Sequence, residues 1–295
     1  MTFAQAMAIA ILQGFSELFP ISSLGHTVLI PALLRWNVDR SSSDFLAFVV
    51  ALHLGTAAAL LLFYQREWRG VVPAFVGSVV RGRLSGSSQE KLAWLLVIGT
   101  IPVGLLGFLL EHEVRGLFGS PLPVAVFLFA NGLVMFAGEA LKQRQHAAAA
   151  QAVGGQTVAT GREYRTLNDL SFFDAVKVGL AESLALLPGI SRSGSSIVAG
   201  LLIGLSESEA ARYSFMLATP VILAAGLLEI PRLLAPGAHG IMLESVIGGI
   251  LSAVTAYLSV AFLTRYFRTN DLRPFGWYCV VAGAVSFALF SSGIR

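Results

Sequence analysis

QGFSELFPISSLGH, from Gln13 to His26, and AESLALLPGISRSG, from Ala181 to Gly194, decide how this chain is read. Each lies inside an otherwise apolar region, the first running from the N-terminus to about Trp36 and the second from Ser171 to about Leu205. Each is interrupted near its middle by Pro, Gly and Ser. Proline removes a donor from the helical ladder, so each region reads as two short helices joined at membrane depth rather than as one span. Pro20-Ile21-Ser22-Ser23-Leu24-Gly25 aligns with Pro188-Gly189-Ile190-Ser191-Arg192-Ser193-Gly194 once a single residue is inserted, which suggests a duplication.

Outward from the two breaks lie six uninterrupted apolar runs: about Phe45 to Tyr64, Leu92 to Leu110, Leu122 to Leu141, Tyr213 to Ile230, Met242 to Leu263 and Phe275 to Phe290. A run of about 20 residues crosses a hydrocarbon core of roughly 30 Å as helix. Composition agrees, with 55% hydrophobic and 13% charged residues and a mean hydropathy of +0.74. A water-soluble globule is excluded. Each half holds one broken hairpin and three spans. Three is odd, so the copies enter the membrane in opposite senses, and an all-α inverted repeat is expected. The first repeat covers residues 1–142, with its re-entrant hairpin at about 1–36. A cytoplasmic linker covers 143–170, its Ala-, Gln- and Gly-rich part read as flexible. The second repeat covers 171–295, with its hairpin at about 171–205.

Charge orients the chain. Placing Gln65 to Lys91 in the cytoplasm gathers fourteen Lys and Arg on that side, among them Arg66, Arg69, Arg81, Arg83 and Lys91. Five remain opposite, Arg35, Arg40, Arg115, Arg232 and Arg295, with Arg192 at membrane depth. The bias puts both termini and the Glu111 to Pro121 loop outside. The net charge of +3 is therefore topology, not a nucleic-acid stripe. With Arg35 as the first basic residue, no signal-peptide start is expected. The single cysteine, Cys279, permits no intrachain disulfide.

Ionisable groups at membrane depth are expensive and by default face the interior. Gln13 and Glu17 stand four apart on one helix face, ahead of Ser22, Ser23 and His26. The cluster combines a hard oxygen donor, hydroxyls and an imidazole. The second break offers helix N–H groups around Ser191 to Ser195 for an anion, with Arg192 shaped to bind phosphate bidentately. As a structural residue, Arg192 would instead pair with Glu17 or Glu182, and Ser22 or Ser23 would cap the new helix. His53, mid-span, is a weaker candidate.

Together, QGFSELFPISSLGH and PGISRSG resemble the motifs of the undecaprenyl-diphosphate phosphatase family, also called the bacitracin-resistance family, and the likeness covers essentially the whole chain. Its first motif falls on Gln13, Glu17, Pro20, Ser22, Ser23, Gly25 and His26. Its second falls on Pro188, Gly189, Ser191, Arg192, Ser193 and Gly194. The resemblance implies a membrane enzyme that removes the terminal phosphate of undecaprenyl diphosphate on the outer side of the bacterial cytoplasmic (inner) membrane. This recycles the lipid carrier for cell-wall synthesis and gives bacitracin resistance. It also implies a divalent cation, magnesium or calcium, held by Glu17 and Gln13, although Gln at position 13 removes one candidate carboxylate.

The expected catalytic set is Glu17, Ser23, His26 and Arg192, with Gln13, Ser22, Gly189, Ser191, Ser193 and Gly194 binding substrate. Ser23 attacks with His26 as its base, leaving His26 itself or water as the alternative nucleophile. The partners expected are the polyprenyl diphosphate lipid, membrane lipids and a second copy in a homodimer, and no nucleic acid. The rival function is a transporter or flippase for an anionic substrate or polyprenyl phosphate lipid, whose broken helices meet at the midplane in the same way.

Overall fold

The structure of the chain, a computed structural model, describes residues 1–39, 42–115, 120–152, 164–233 and 241–293. Eleven helices account for most of them: α1 (Phe3–Ser16), α2 (Ser23–Leu33), α3 (Ser43–Phe63), α4 (Gln65–Arg81), α5 (Ser88–Arg115), α6 (Pro121–Ala152), α7 (Phe172–Glu182), α8 (Arg192–Leu202), α9 (Glu207–Leu233), α10 (Met242–Tyr266) and α11 (Arg273–Ser291). No strand forms among the described residues. Six helices are long and apolar enough to cross a membrane, α3, α5, α6, α9, α10 and α11, and they coincide with the six runs read from the sequence. The chain is a multi-pass membrane protein.

Between these spans, α3 packs along α10 and α6 along α11. Lipid tails are as apolar as leucine, so close backbone approach and buried polar contacts must hold such pairs together. At the α3–α10 crossing, a Cβ on Gly55 would stand 2.1 Å from the Gly249 carbonyl oxygen. Beside it, the Thr56 and Ser252 hydroxyls lie 3.2 Å apart, and Ser252 donates to the Leu52 carbonyl at 2.9 Å.

Both interrupted regions are pairs of short helices. The first turns over residues 17–22, where Ser22 takes φ +67°, a backbone region a non-glycine residue enters at a cost of about 1–3 kcal/mol. The Ser22 hydroxyl accepts from the Gly25 N–H at 3.2 Å and caps α2. The second passes from α7 through a short 3₁₀ turn, Ser183–Leu186, to Pro188 and on to α8, which Ser191 caps in the same way. Its open end is tied by Arg165, which donates to the Ile203 carbonyl at 2.8 Å and to Asp174 at 2.9 Å. One residue thus joins the start of α7 to the end of α8.

Two stretches differ from the sequence reading. The loop from Gln65 to Lys91 contains α4, whose Trp68, Val71 and Phe75 pack inward. Its Val72, Val76, Val79 and Val80 are exposed. Its charges lower the mean hydropathy below that of a span, although the 3.6-residue period of an amphipathic helix is present. The stretch read as flexible linker from Gln143 begins as helix, because α6 continues to Ala152. Ala and Gln are good helix formers and the first glycine is Gly154. The rest of that stretch, 153–163, lies outside the described residues, as do 116–119 of the expected outer loop.

Candidate active site

The last turn of α1 brings Gln13 and Glu17 onto one face, and the turn that follows folds Ser23 back over them. Ser23 Oγ donates to Glu17 Oε2 at 2.5 Å, and Gln13 Nε2 donates to the same oxygen at 2.7 Å. Gln13 Nε2 also lies 3.1 Å from His53 Nε2. His53 Nδ1 stands 2.8 Å from the Val49 carbonyl and must donate to it, which leaves Nε2 as the acceptor for Gln13. His53 therefore belongs to the site, with Nε2 3.6 Å from Glu17 Oε2.

From the second break, Arg192 reaches across. Its Nη2 donates to Glu17 Oε1 at 3.3 Å and its Nη1 to Glu182 Oε1 at 3.4 Å. Each carboxylate takes a single long contact, so the bidentate fork that suits a phosphate is unused. Glu182 is fully buried and its Oε2 has no hydrogen-bond partner. A buried carboxylate oxygen left bare is costly unless a ligand, an ion or water meets it. Glu17, Ser22, Ser23, His53, Glu182 and Arg192 share a cavity of about 350 Å³, and Val49, Val103, Leu186, Val221 and Ile222 are part of its wall. A hydroxyl on a carboxylate, beside a largely enclosed guanidinium, is equipped to bind an anion and move a proton.

The family model for the bacitracin resistance protein BacA matches residues 6–285. The chain belongs to the bacitracin-resistance protein family. Curated members include an undecaprenyl-diphosphatase of Mycolicibacterium paratuberculosis, 48% identical over 295 residues covering 97% of this chain and 96% of that protein. The undecaprenyl-diphosphatase 2 of Frankia alni is 44% identical, covering 99% and 98%, and that of Chromobacterium violaceum is 45% identical, covering 97% and 98%.

In this member of the bacitracin-resistance family, the residues expected at the site separate into two groups. Gln13, Glu17, Ser23 and Arg192 converge. His26 does not join them: its Nδ1 is 2.7 Å from the Ser22 carbonyl and its Nε2 2.6 Å from the Tyr278 hydroxyl. Both ring nitrogens are occupied and the ring stacks on Tyr278. The expected Ser23–His26 pairing is replaced by Ser23–Glu17, because α2 resumes at Ser23 and carries His26 round toward α11.

The anion cradle expected at Ser191 to Ser195 is also partly spent inside the protein. Ser191 N–H donates to Asn131, Gly194 N–H to Ser191 Oγ and Ser195 N–H to the Ser191 carbonyl. Ser193 Oγ donates to the Phe19 carbonyl at 3.0 Å, so Ser191 and Ser193 bind the first break rather than offering donors to a ligand. Gly189, at φ +113°, lies against α6, where a Cβ would stand 2.4 Å from the Val124 carbonyl oxygen. A Cβ on Gly25 would in turn stand 3.3 Å from Gly189 Cα.

Among the described residues no group of three His, Cys, Asp or Glu is placed to hold a metal ion. A hard cation of the magnesium type needs only one or two protein oxygens when phosphates supply the rest. Gln13 Oε1, buried without a hydrogen-bond partner beside Glu17, offers one such oxygen. The residues fit a cation that arrives with a phosphate ligand.

Proposed function

We propose that this chain hydrolyses undecaprenyl diphosphate to undecaprenyl phosphate and inorganic phosphate. It thereby recycles the lipid carrier for cell-wall synthesis and confers bacitracin resistance. The relatives' names support the substrate. The observation that carries the chemistry is the 2.5 Å bond from Ser23 Oγ to Glu17 Oε2, beside Arg192. Ser23 Oγ attacks the terminal phosphorus and its proton passes to Glu17. The bond from that phosphorus to the bridging oxygen breaks, and the lipid monophosphate leaves with the electron pair and takes the proton from Glu17. Water then attacks the phosphoserine and gives a proton to Glu17, the bond from phosphorus to Ser23 Oγ breaks to release inorganic phosphate, and Glu17 returns that proton to Ser23 Oγ. Arg192 neutralises charge that grows on the transferring phosphoryl group. A divalent cation at Glu17 and Gln13 would add Lewis-acid neutralisation of the diphosphate oxygens. The apolar cavity wall suits the first isoprene units, while the tail remains in lipid.

Packing supports the inverted repeat with two re-entrant hairpins. If α3, α5 and α6 correspond to α9, α10 and α11, the contact of α1 with α10 has its counterpart in α7 with α5. Likewise, α3 with α10 has its counterpart in α9 with α5. Two helix pairs, α3 with α9 and α6 with α11, contact their own counterparts, as elements beside a two-fold axis do. The charge bias then opens the site to the outer face of the cytoplasmic membrane. In a Cys279→Ala background, Ser85→Cys is expected to resist an impermeant thiol reagent in intact cells and to label after permeabilisation. Labelling in intact cells would reverse the topology.

The decisive experiment is phosphate release from undecaprenyl diphosphate by detergent-purified protein, where transport has no meaning. A transporter would bind the lipid and release nothing. On the cation, chelation is expected to lower release. Glu17→Gln should blunt the response to added magnesium or calcium, while Gln13→Glu is tolerated and sharpens it. Full wild-type activity after exhaustive chelation would restrict Glu17 to hydrogen bonding and proton transfer.

A further inference from the structure

We propose that Asn131 is a positioning residue for this reaction, one amide that holds the two breaks in register. It sits in the middle of α6 and is fully buried, at 0% exposure. Its Nδ2 donates to the Pro20 carbonyl of the first break at 3.0 Å, and its Oδ1 accepts from the Ser191 N–H of the second at 2.9 Å. The amide can be oriented in only one way, because a carbonyl needs a donor and an N–H needs an acceptor. Nδ2 also lies 3.4 Å from Cys279 Sγ.

Both partners are backbone groups that the breaks release from helical pairing, and at membrane depth water is scarce to satisfy them. Both also adjoin the reacting groups. Pro20 lies between Glu17 and Ser23 in the chain, and Ser191 directly precedes Arg192. The 3.3 Å contact between Arg192 and Glu17 joins groups carried by separate hairpins, so its length depends on what ties the hairpins together. Asn131 supplies the tie from a third element. The Ser193 hydroxyl bond to Phe19 adds a direct link, and α6 backs Gly189 from behind. A displacement of the tips by about 1 Å would misplace the phosphate relative to Ser23, and errors of that size cost about a hundredfold in rate.

The inference rests on the phosphatase reading, and steady-state phosphate release in detergent tests it. Asn131→Leu, which keeps the branching but removes the polar atoms, is expected to lower kcat between about 10- and 100-fold while KM moves less than about threefold. Asn131→Asp, whose neutral carboxyl keeps one donor and one acceptor, should recover part of the loss. Added to Arg192→Lys, Asn131→Leu should cost little more, because it acts through that side chain. Wild-type kcat in folded Asn131→Leu, or a loss that multiplies with that of Arg192→Lys, would overturn the role. Should Asn131→Leu not survive extraction, Asn131→Ser replaces it under the same two outcomes, since a hydroxyl cannot span both partners. A wild-type chain that releases no phosphate would overturn the phosphatase reading and this inference with it. An active wild type beside an unaffected variant overturns the inference alone.

Discussion

Ser23→Ala is expected to cut phosphate release by about a thousandfold or more, because it removes the hydroxyl that attacks phosphorus and the proton that Glu17 accepts. Ser23 Oγ and Glu17 Oε2 are already 2.5 Å apart, so the proton transfer needs no rearrangement of the protein. The two residues act as a unit, and Ser23→Ala combined with Glu17→Gln should be hardly slower than either alone. His26→Ala should behave differently. His26 is bonded to Ser22 and Tyr278, so its loss disturbs the turn that presents Ser23; it should be milder than Ser23→Ala and add little to Ser23→Ala or Glu17→Gln. Acid quenching during turnover decides the nucleophile. An acid-stable phosphoserine at position 23 supports the assignment, whereas an acid-labile phosphohistidine at position 26 overturns it. Solvent oxygen label entering phosphate in a single turnover, with no phosphoprotein, would assign the attack to water.

Arg192→Lys is expected to lose about 10-fold or more in turnover although the charge is kept, equivalent to roughly 1.4 kcal/mol of transition-state stabilisation. An ammonium can still neutralise Glu17 and Glu182, the two carboxylates that Arg192 contacts, so the fold should survive. What it lacks is the planar fork that can turn from two single carboxylate contacts to a bidentate grip on phosphate. Purified Arg192→Lys with a wild-type melting temperature and a reduced kcat is the expected result. Wild-type turnover would reduce Arg192 to a structural counter-ion.

Much of the site was legible because the membrane makes polar residues conspicuous. Glu17 and Arg192 stand out against their apolar surroundings, and the spacing of Gln13 and Glu17 places both on one helix face. Asn131 carried the same signal, a strongly polar amide inside the Leu122 to Leu141 run. It was missed because a lone amide mid-span reads as interhelical glue until its partners are known. His53 and Glu182 belong to the site for a reason no local pattern holds. They come from α3 and α7, far from residue 17 in the chain, and only packing brings them to one cavity.

The sequence by itself determined the membrane class, the six spans and the two breaks, because length, hydropathy and the punctuation of Pro, Gly and Ser are local properties. It also determined which residues could carry chemistry, since burying an ionisable group in lipid needs a reason. Tertiary structure decided how those residues pair. His26 and Ser23 lie three apart and share an approximate helix face, yet the turn at Ser22 and the position of α11 send the imidazole to Tyr278 and the hydroxyl to Glu17. The N–H groups of Ser191 and Gly194 suited an anion until Asn131 and Ser191 Oγ claimed them. Hydrogen-bond partners are assigned by distances of about 3 Å between elements that are remote in the chain, and a change of one partner redirects the next. Helix period assigns partners within a helix, as for Gln13 and Glu17, but carries no information between remote elements.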